Sequence, residues 1–242
     1  MTRFTPWRIE HFETLSSTSD LCAERARAGE ADRLLIIAAS QTAGRGRAGR
    51  VWSSPPGNFY ASALLRPGIA AVEGGLFALM AGLSLLEAIE QASGTDAALR
   101  LKWPNDITAG AAKLAGILLD ATIELGRIAT LVIGFGANLV YAPEIPDRAT
   151  TSLAALGLRL APGDLATALC ARLDHWQHSL KTDAGATLRA SWLRRSHPID
   201  AALAIDGGRI TGRFAGLAGD GSLLLAQGER VTIIRSGDVA LL

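Results

Sequence analysis

Between Leu99 and Phe135 the chain carries three short aliphatic runs, Leu99–Trp103, Leu114–Thr122 and Ile128–Phe135, and the segments joining them are too short to hold a crossover helix. By length and side-chain type each run reads as a strand. Strands joined this way must fold back on one another, so the strict βαβ alternation of a doubly wound sheet is ruled out here. The expected fold class is α+β, a mixed or antiparallel sheet with helices on one face.

The rest of the chain fits that frame. Further strands are predicted at Leu34–Ala39 and Phe59–Arg66, the second stopped by Pro67-Gly68. Ser17-Thr18-Ser19-Asp20 opens a helix that runs to about Ala28 and stops at Gly29; a Ser with an acid three residues later is an N-terminal cap. Leu76–Ala92 repeats apolar residues at helical spacing and is the expected core helix. Its most apolar part, Leu76–Ile89, is broken by Gly82, Ser84 and Glu87 and is too short to span a bilayer. Pro162-Gly163-Asp164 starts a helix to about Lys181, and Ala184–Arg195 forms another. From about His197 the pattern changes to short alternating runs, Ala201–Asp206, Arg209–Phe214, Ser222–Leu225 and Val231–Ile234, separated by glycine turns. The expected division is a main domain over residues 1–197 and a small β-barrel-like module over 198–242. A module of about 45 residues is marginal alone and should pack on the main domain.

Composition limits the function. Hydrophobic residues make up 49% of the chain and the formal net charge is +1, enough apolar material for a core and too little basic excess for a bulk nucleic-acid binder. Cys22 and Cys170 fit neither a zinc spacing nor a disulfide framework, which points to reduced thiols in a cytoplasm. His11, His175, His178 and His197 show no ligand pattern. Residues 1–15 mix Arg3, Arg8, Glu10 and Glu13 and do not read as a signal peptide. No membrane partner is expected.

Against this balanced background, Gln41–Arg50 (QTAGRGRAGR) stands out, with three arginines, three glycines and no acid. Each guanidinium offers a planar fork of donors matched to phosphate or carboxylate, and the glycines let backbone N–H groups approach an anion. Other polar islands fall at the ends of predicted strands: Ser17-Thr18-Ser19, Lys102-Trp103-Pro104-Asn105-Asp106, Lys113-Leu114-Ala115-Gly116-Ile117-Leu118 and, more weakly, Gly134-Phe135-Gly136-Ala137-Asn138. Singly they read as a helix cap, solvated charges, a turn and a basic loop. The Arg/Gly loop lacks a Walker ending, and Gly134-x-Gly136 lacks the third glycine of a dinucleotide fingerprint. Together, three arginines, two lysines, Asp106, Asn105 and small hydroxyls suit a reaction between two anionic reactants. A cation about 4 Å from a phosphate oxygen contributes roughly 4 kcal/mol in a partly screened site, before desolvation. Asp106 is a candidate for holding Mg²⁺ against a triphosphate, and Gln41 with the hydroxyls could fix a neutral polar ring.

The ordered set Ser-Thr-Ser, Gln-x-x-Gly-Arg-Gly-Arg-x-Gly-Arg-x-Trp, Lys-Trp-Pro-Asn-Asp and Lys-Leu-Ala-Gly-Ile-Leu, followed by Gly-Phe-Gly-Ala-Asn-Leu, closely resembles biotin–protein ligases over about residues 14–240. The resemblance implies a fold like class II aminoacyl-tRNA synthetases with an SH3-like C-terminal barrel. It also implies a two-step reaction in which biotin and ATP give biotinyl-5′-AMP and pyrophosphate, and a lysine of a biotin carboxyl carrier protein then takes the biotinyl group. Ser17, Thr18, Ser19, Gln41, Gly44, Arg45, Gly46, Arg47, Lys113 and Gly116 would bind biotin. Arg47, Arg50, Lys102, Asn105, Asp106 and Asn138 would serve ATP and the adenylate. Arg45, Lys113 and Asp106 would be catalytic, with Asp106 on Mg²⁺, and Trp52 or Trp103 would exclude water.

Two positions depart from the family pattern: Ser19 stands where many relatives have Asn, and Ala149–Leu153 contains no aromatic where some relatives stack a tryptophan on adenine. About 16 residues precede Ser17, too few for the winged helix of bifunctional relatives, so no DNA binding is expected. The resemblance also allows a homodimer. A lipoate or octanoate ligase, a nucleic-acid binder using the Arg/Gly loop and a silent homologue are the competing readings. Without ligand, three like charges on a glycine-rich backbone should keep the loop mobile.

Overall fold

The computed structural model describes residues 6–94, 98–145 and 148–242. Among them a seven-stranded sheet is built from β1 (Arg8–Leu15), β2 (Leu34–Gln41), β3 (Phe59–Leu65), β4 (Leu99–Lys102), β5 (Asp106–Ala109), β6 (Ala112–Glu124) and β7 (Arg127–Ala137). The spatial order is β1-β2-β3-β7-β6-β5-β4. Neighbours are antiparallel except β1 and β2, which are parallel. The short connections of residues 99–137 fold back as expected. The one parallel pair is joined through α1 (Thr18–Arg27), where the chain has room for a crossover helix.

β1 and β5 were not expected from the sequence. β1 alternates charged and apolar residues at the sheet edge, where charge discourages further pairing. β5 is only four residues long and begins at Asp106, the last residue of the Lys-Trp-Pro-Asn-Asp island.

The alternation of side chains along β2 separates two cores. Leu35 and Ile37 enter the main core, whereas Leu34 and Ile36 meet Cys22 and Ala26 of α1 on the other face. Burial on both faces explains why β2 reads as a continuous aliphatic run. On the main-core side α2 (Gly74–Ser93) covers the sheet, and α3 (Pro162–Asp183) and α4 (Ala186–Arg195) pack against it. The helical layer thus lies on one face as expected, with α1 added on the opposite face. The segment Ala71–Ser93 is long and apolar enough to cross a membrane by length and composition, contrary to the shorter stretch read from the sequence. Two thirds of its most apolar 18-residue stretch is buried within the protein, which makes it a core helix.

The C-terminal strands β8 (Ala202–Ile205), β9 (Ile210–Leu217), β10 (Leu223–Gln227), β11 (Arg230–Ile234) and β12 (Val239–Leu241) form a second, antiparallel sheet in the order β11-β10-β9-β8-β12. Leu203, Phe214, Leu225 and Val239 join the same apolar cluster as α2. The Trp103 indole N–H donates to the Gly221 carbonyl at 3.1 Å, and a Cβ on Gly75 would come within 2.5 Å of the Asp220 carbonyl oxygen. The turn between β9 and β10 is therefore in direct contact with α2 and with the residue after β4, which is the support a module this small needs.

Candidate active site

A cavity of about 590 Å³ lies where the Arg/Gly loop, the start of α1 and strands β5, β6 and β7 meet. Its floor is glycine. Gly116 on β6 pairs with Gly136 on β7, and both lie under the Trp52 side chain. A Cβ on Gly136 would fall 2.5 Å from Trp52 Cε2, and one on Gly116 would fall 3.1 Å from Cζ3. These glycines, with Gly134 beneath the Ser19 hydroxyl, are required by close approach. Gly134-x-Gly136 thus lies within the last part of strand β7 rather than in a turn. The Trp52 indole N–H is buried and has no hydrogen-bond partner among the described residues. Lys113 Nζ stands 5.3 Å from the centre of its ring, within cation–π range.

One end of the cavity is neutral and polar. Ser17 caps α1, its hydroxyl accepting from the Asp20 N–H at 3.4 Å, so the cap predicted from sequence is present. The Thr18 N–H donates to Gln41 Oε1 at 2.8 Å, and Gln41 Nε2 donates to Ser54 Oγ at 3.0 Å. Thr18 and Ser19 both hydrogen-bond Ser62, at 2.8 and 2.9 Å. Ser62, on β3, is fully buried and was not anticipated; nothing in a lone serine within Phe-Tyr-Ala-Ser-Ala-Leu-Leu marks it.

The other end is cationic, and each cation already has a partner. Arg45 is paired with Asp20, and Asp120 stands 3.9 Å away. Arg47 donates to Asn105 Oδ1 at 3.3 Å and to the Gly237 carbonyl at 3.2 Å. Arg50 and Arg148 both reach Asp238 Oδ2, at 3.0 and 3.1 Å. Lys113 pairs with Asp106 at 2.6 Å, with side chains only 15% and 11% exposed. Asp20 and Asp238, both outside the loop, thus offset part of the mutual repulsion of its arginines. The loop folds as a 3₁₀ turn over Arg47–Gly49, closed by the Gly46 N–H on the Arg50 carbonyl at 2.7 Å. Burial raises the Asp238 carboxyl, but the hydrogen bond from Arg50 and the charges of Arg148 and Arg50 outweigh it and hold it below the usual carboxylate range. Gly237, Asp238 and Arg148 lie far along the chain from the islands, so no local pattern could have found them.

Of the residues expected at the site, Ser17, Thr18, Ser19, Gln41, Arg45, Gly46, Arg47, Arg50, Asn105, Asp106, Lys113, Gly116 and Asn138 line this cavity. Three do not. Gly44 lies behind it, where a Cβ would meet the Trp52 carbonyl oxygen at 2.5 Å and Ser54 Oγ at 2.6 Å. Lys102, on the edge strand β4, is half-buried outside the lining. Burial lowers its pKa, partly opposed by the charge of Asp106. Trp103 is buried against the second sheet and is an anchor rather than a water shield. Beside Thr150 the cavity wall is completed by Pro143 and Ile145, with no aromatic from Ala149–Leu153. Among the described residues no group of three or more His, Cys, Asp or Glu side chains could hold a metal. The side-chain oxygens of Asp106 and Asn105 face Lys113 at 2.6 Å and Arg47 at 3.3 Å.

Residues 11–138 match the model of the biotin/lipoate A/B protein ligase family. The chain is 32% identical to a biotin–[acetyl-CoA-carboxylase] ligase of Paracoccus denitrificans, covering 84% of this chain and 88% of that protein. It is 33% identical to the enzyme of the same name from Mycobacterium tuberculosis, covering 94% and 86%. Among solved structures, a biotin protein ligase from Aquifex aeolicus in complex with biotin and ATP superposes with a TM-score of 0.79 at 25% identity, covering 97% of this chain and 98% of that one.

Proposed function

On the premise that the chain belongs to the biotin/lipoate A/B protein ligase family, we propose that it is an ATP-dependent ligase that activates biotin as biotinyl-5′-AMP and transfers it to a carrier lysine. The observation that carries the reading is that one cavity joins a neutral, hydroxyl-lined end to a cation-lined end. A ligand with a polar ring at one end and a carboxylate at the other matches that division.

The biotin ring lies at Ser17, Thr18, Ser19 and Gln41, and its chain crosses Gly116 and Gly136 beside Trp52. The carboxylate then reaches Lys113 and Arg45. Arg47, Arg50 and Arg148 face the phosphates of ATP, with Asn105 and Asn138 on the adenylate side. In the first step a carboxylate oxygen bonds to the α-phosphorus and the bond to pyrophosphate breaks. Asp106, if it turned from Lys113, would hold a magnesium ion carried by ATP, and that ion would neutralise charge on the triphosphate. Lys113 and the arginines offset repulsion between the two anions, most strongly as charge builds in the transition state. In the second step the carrier's ε-amine bonds to the acyl carbon, AMP leaves with the bonding pair, and the amine gives up a proton. Trp52 and the closed loop keep water from the mixed anhydride.

The carrier is a biotin carboxyl carrier domain of acetyl-CoA carboxylase or of another biotin-dependent carboxylase. The small C-terminal module, taken to start at 198, belongs to the machinery through Gly237 and Asp238. A reducing cytoplasm suits Cys22 and Cys170, which are buried free thiols. The test is to incubate the purified protein with biotin, MgATP and a recombinant carrier domain and to weigh the carrier. Gain of one biotinyl group, dependent on both substrates, supports the reading; an unmodified carrier with both present opposes it.

A further inference from the structure

The hydroxyls at the neutral end form one hydrogen-bonded chain, and its protons can be assigned. Ser54 Oγ lies 2.9 Å from the Trp52 carbonyl, which has no proton, so Ser54 donates there and accepts from Gln41 Nε2. That fixes the Gln41 amide with its oxygen toward Thr18, where the backbone N–H donates to it. Thr18 Oγ1 is 3.2 Å from the same oxygen, again an atom that can only accept. Thr18 Oγ1 also touches Ser62 Oγ, which touches Ser19 Oγ. Three hydroxyl protons serve these three contacts, and only one arrangement makes them all: Ser19 donates to Ser62, Ser62 to Thr18, and Thr18 to Gln41.

In that arrangement Thr18 and Ser19 have no proton left for a ligand and present lone pairs only. Ser17 is the opposite case. Its oxygen accepts the helix-cap bond, and its proton has no acceptor among the described residues. The wall therefore offers a donor beside acceptors, which suits a ring that carries a C=O next to N–H groups.

We propose that Ser62 is a positioning residue that sets specificity by holding the Thr18 and Ser19 hydroxyls as acceptors, so that the pocket selects a ring N–H. The proposal rests on the reading that this end of the cavity receives the biotin ring. Ser62 itself is fully buried on β3, outside the cavity lining, and acts through the two hydroxyls that line it. Removing its Oγ leaves Ser19 free to rotate and donate.

The experiment measures binding of biotin and of a synthetic cyclic carbamate, in which oxygen replaces one ring N–H, to wild type, Ser62→Ala, Ser62→Cys and Ser62→Thr. Wild type should bind biotin and disfavour the carbamate by on the order of 100-fold or more, since a site built to pair an N–H is left unpaired by oxygen. Ser62→Ala should bind biotin about 10-fold more weakly and lose most of the discrimination, with KM for ATP unchanged. Ser62→Cys, with a weak donor of similar shape, should move the same way, and Ser62→Thr should restore the preference. The cysteine variant decides the matter if the alanine variant does not fold. Equal weakening of both ligands and of ATP would mean a merely structural role and overturn the proposal, as would an unchanged preference. Failure of wild type to bind biotin would overturn the functional reading, and the proposal with it.

Discussion

Replacing Lys113 with alanine separates the chemistry of the site from its stability. A solvated lysine would leave the fold unaffected, but Lys113 is a largely buried partner of Asp106 at 2.6 Å. Breaking a buried ion pair costs about 3–5 kcal/mol because a lone charge remains. Here the pair lines an open cavity and water can reach the orphaned carboxylate, so about 1–2 kcal/mol is expected. The effect on adenylation should be larger. A cation placed where charge develops supplies about 3–4 kcal/mol, or 10²–10³ in rate. Lys113→Ala should thus lower the melting temperature modestly and slow biotin-dependent ATP–pyrophosphate exchange by two to three orders of magnitude. Adding Asp106→Asn removes the orphaned charge and should recover most of the stability without restoring exchange. Near-wild-type exchange in Lys113→Ala would refute the role given to the ammonium. Exchange restored in the double variant would mean that the lysine serves only to neutralise Asp106.

Gly136→Ala should drive the Trp52 indole from its seat, because the added methyl would lie 2.5 Å from Cε2; overpacking costs about 1–3 kcal/mol. Tryptophan fluorescence should shift and biotin affinity should fall, while unchanged values would show that the indole does not lie on this strand. His197 is buried against Phe214 with both ring nitrogens unpartnered among the described residues. Burial first, and the charge of Lys102 second, lower its pKa from 6.5 to about 4. The unfolded chain then binds a proton that the folded one refuses between those values. Stability should be full above pH 6.5 and fall by roughly 2–3 kcal/mol as pH drops toward 4. A His197→Phe variant should lose that part of the pH dependence; an identical profile in both proteins would contradict the assignment.

The sequence exposed the fold where hydrophobic period and connection length act locally. β2, α2 and the return strands of residues 99–137 follow from such signals, and so does the cap at Ser17. β1 stayed hidden because an edge strand buries little and alternates charge with apolar residues. The islands located the Arg/Gly loop, but the acids that pair with its arginines could not be read. Asp20 belongs to a helix cap, and Asp238 comes from the second sheet, so both pairings depend on tertiary approach. Ser62 was silent for the same reason, since a buried serine on a strand has no sequence signature. Lys102 and Trp103 share a motif with Asn105 and Asp106. The turn from β4 into β5 sends only the second pair into the cavity.

The central claim is that this cavity joins a biotin carboxylate to the α-phosphate of ATP. Its most direct measurement is isotope exchange between ATP and pyrophosphate, run separately with biotin, lipoate and octanoate and with no carrier present. Exchange that requires biotin, and that lipoate and octanoate do not support, is the predicted result. Exchange with lipoate or octanoate but not with biotin, or none with any acid, would contradict it.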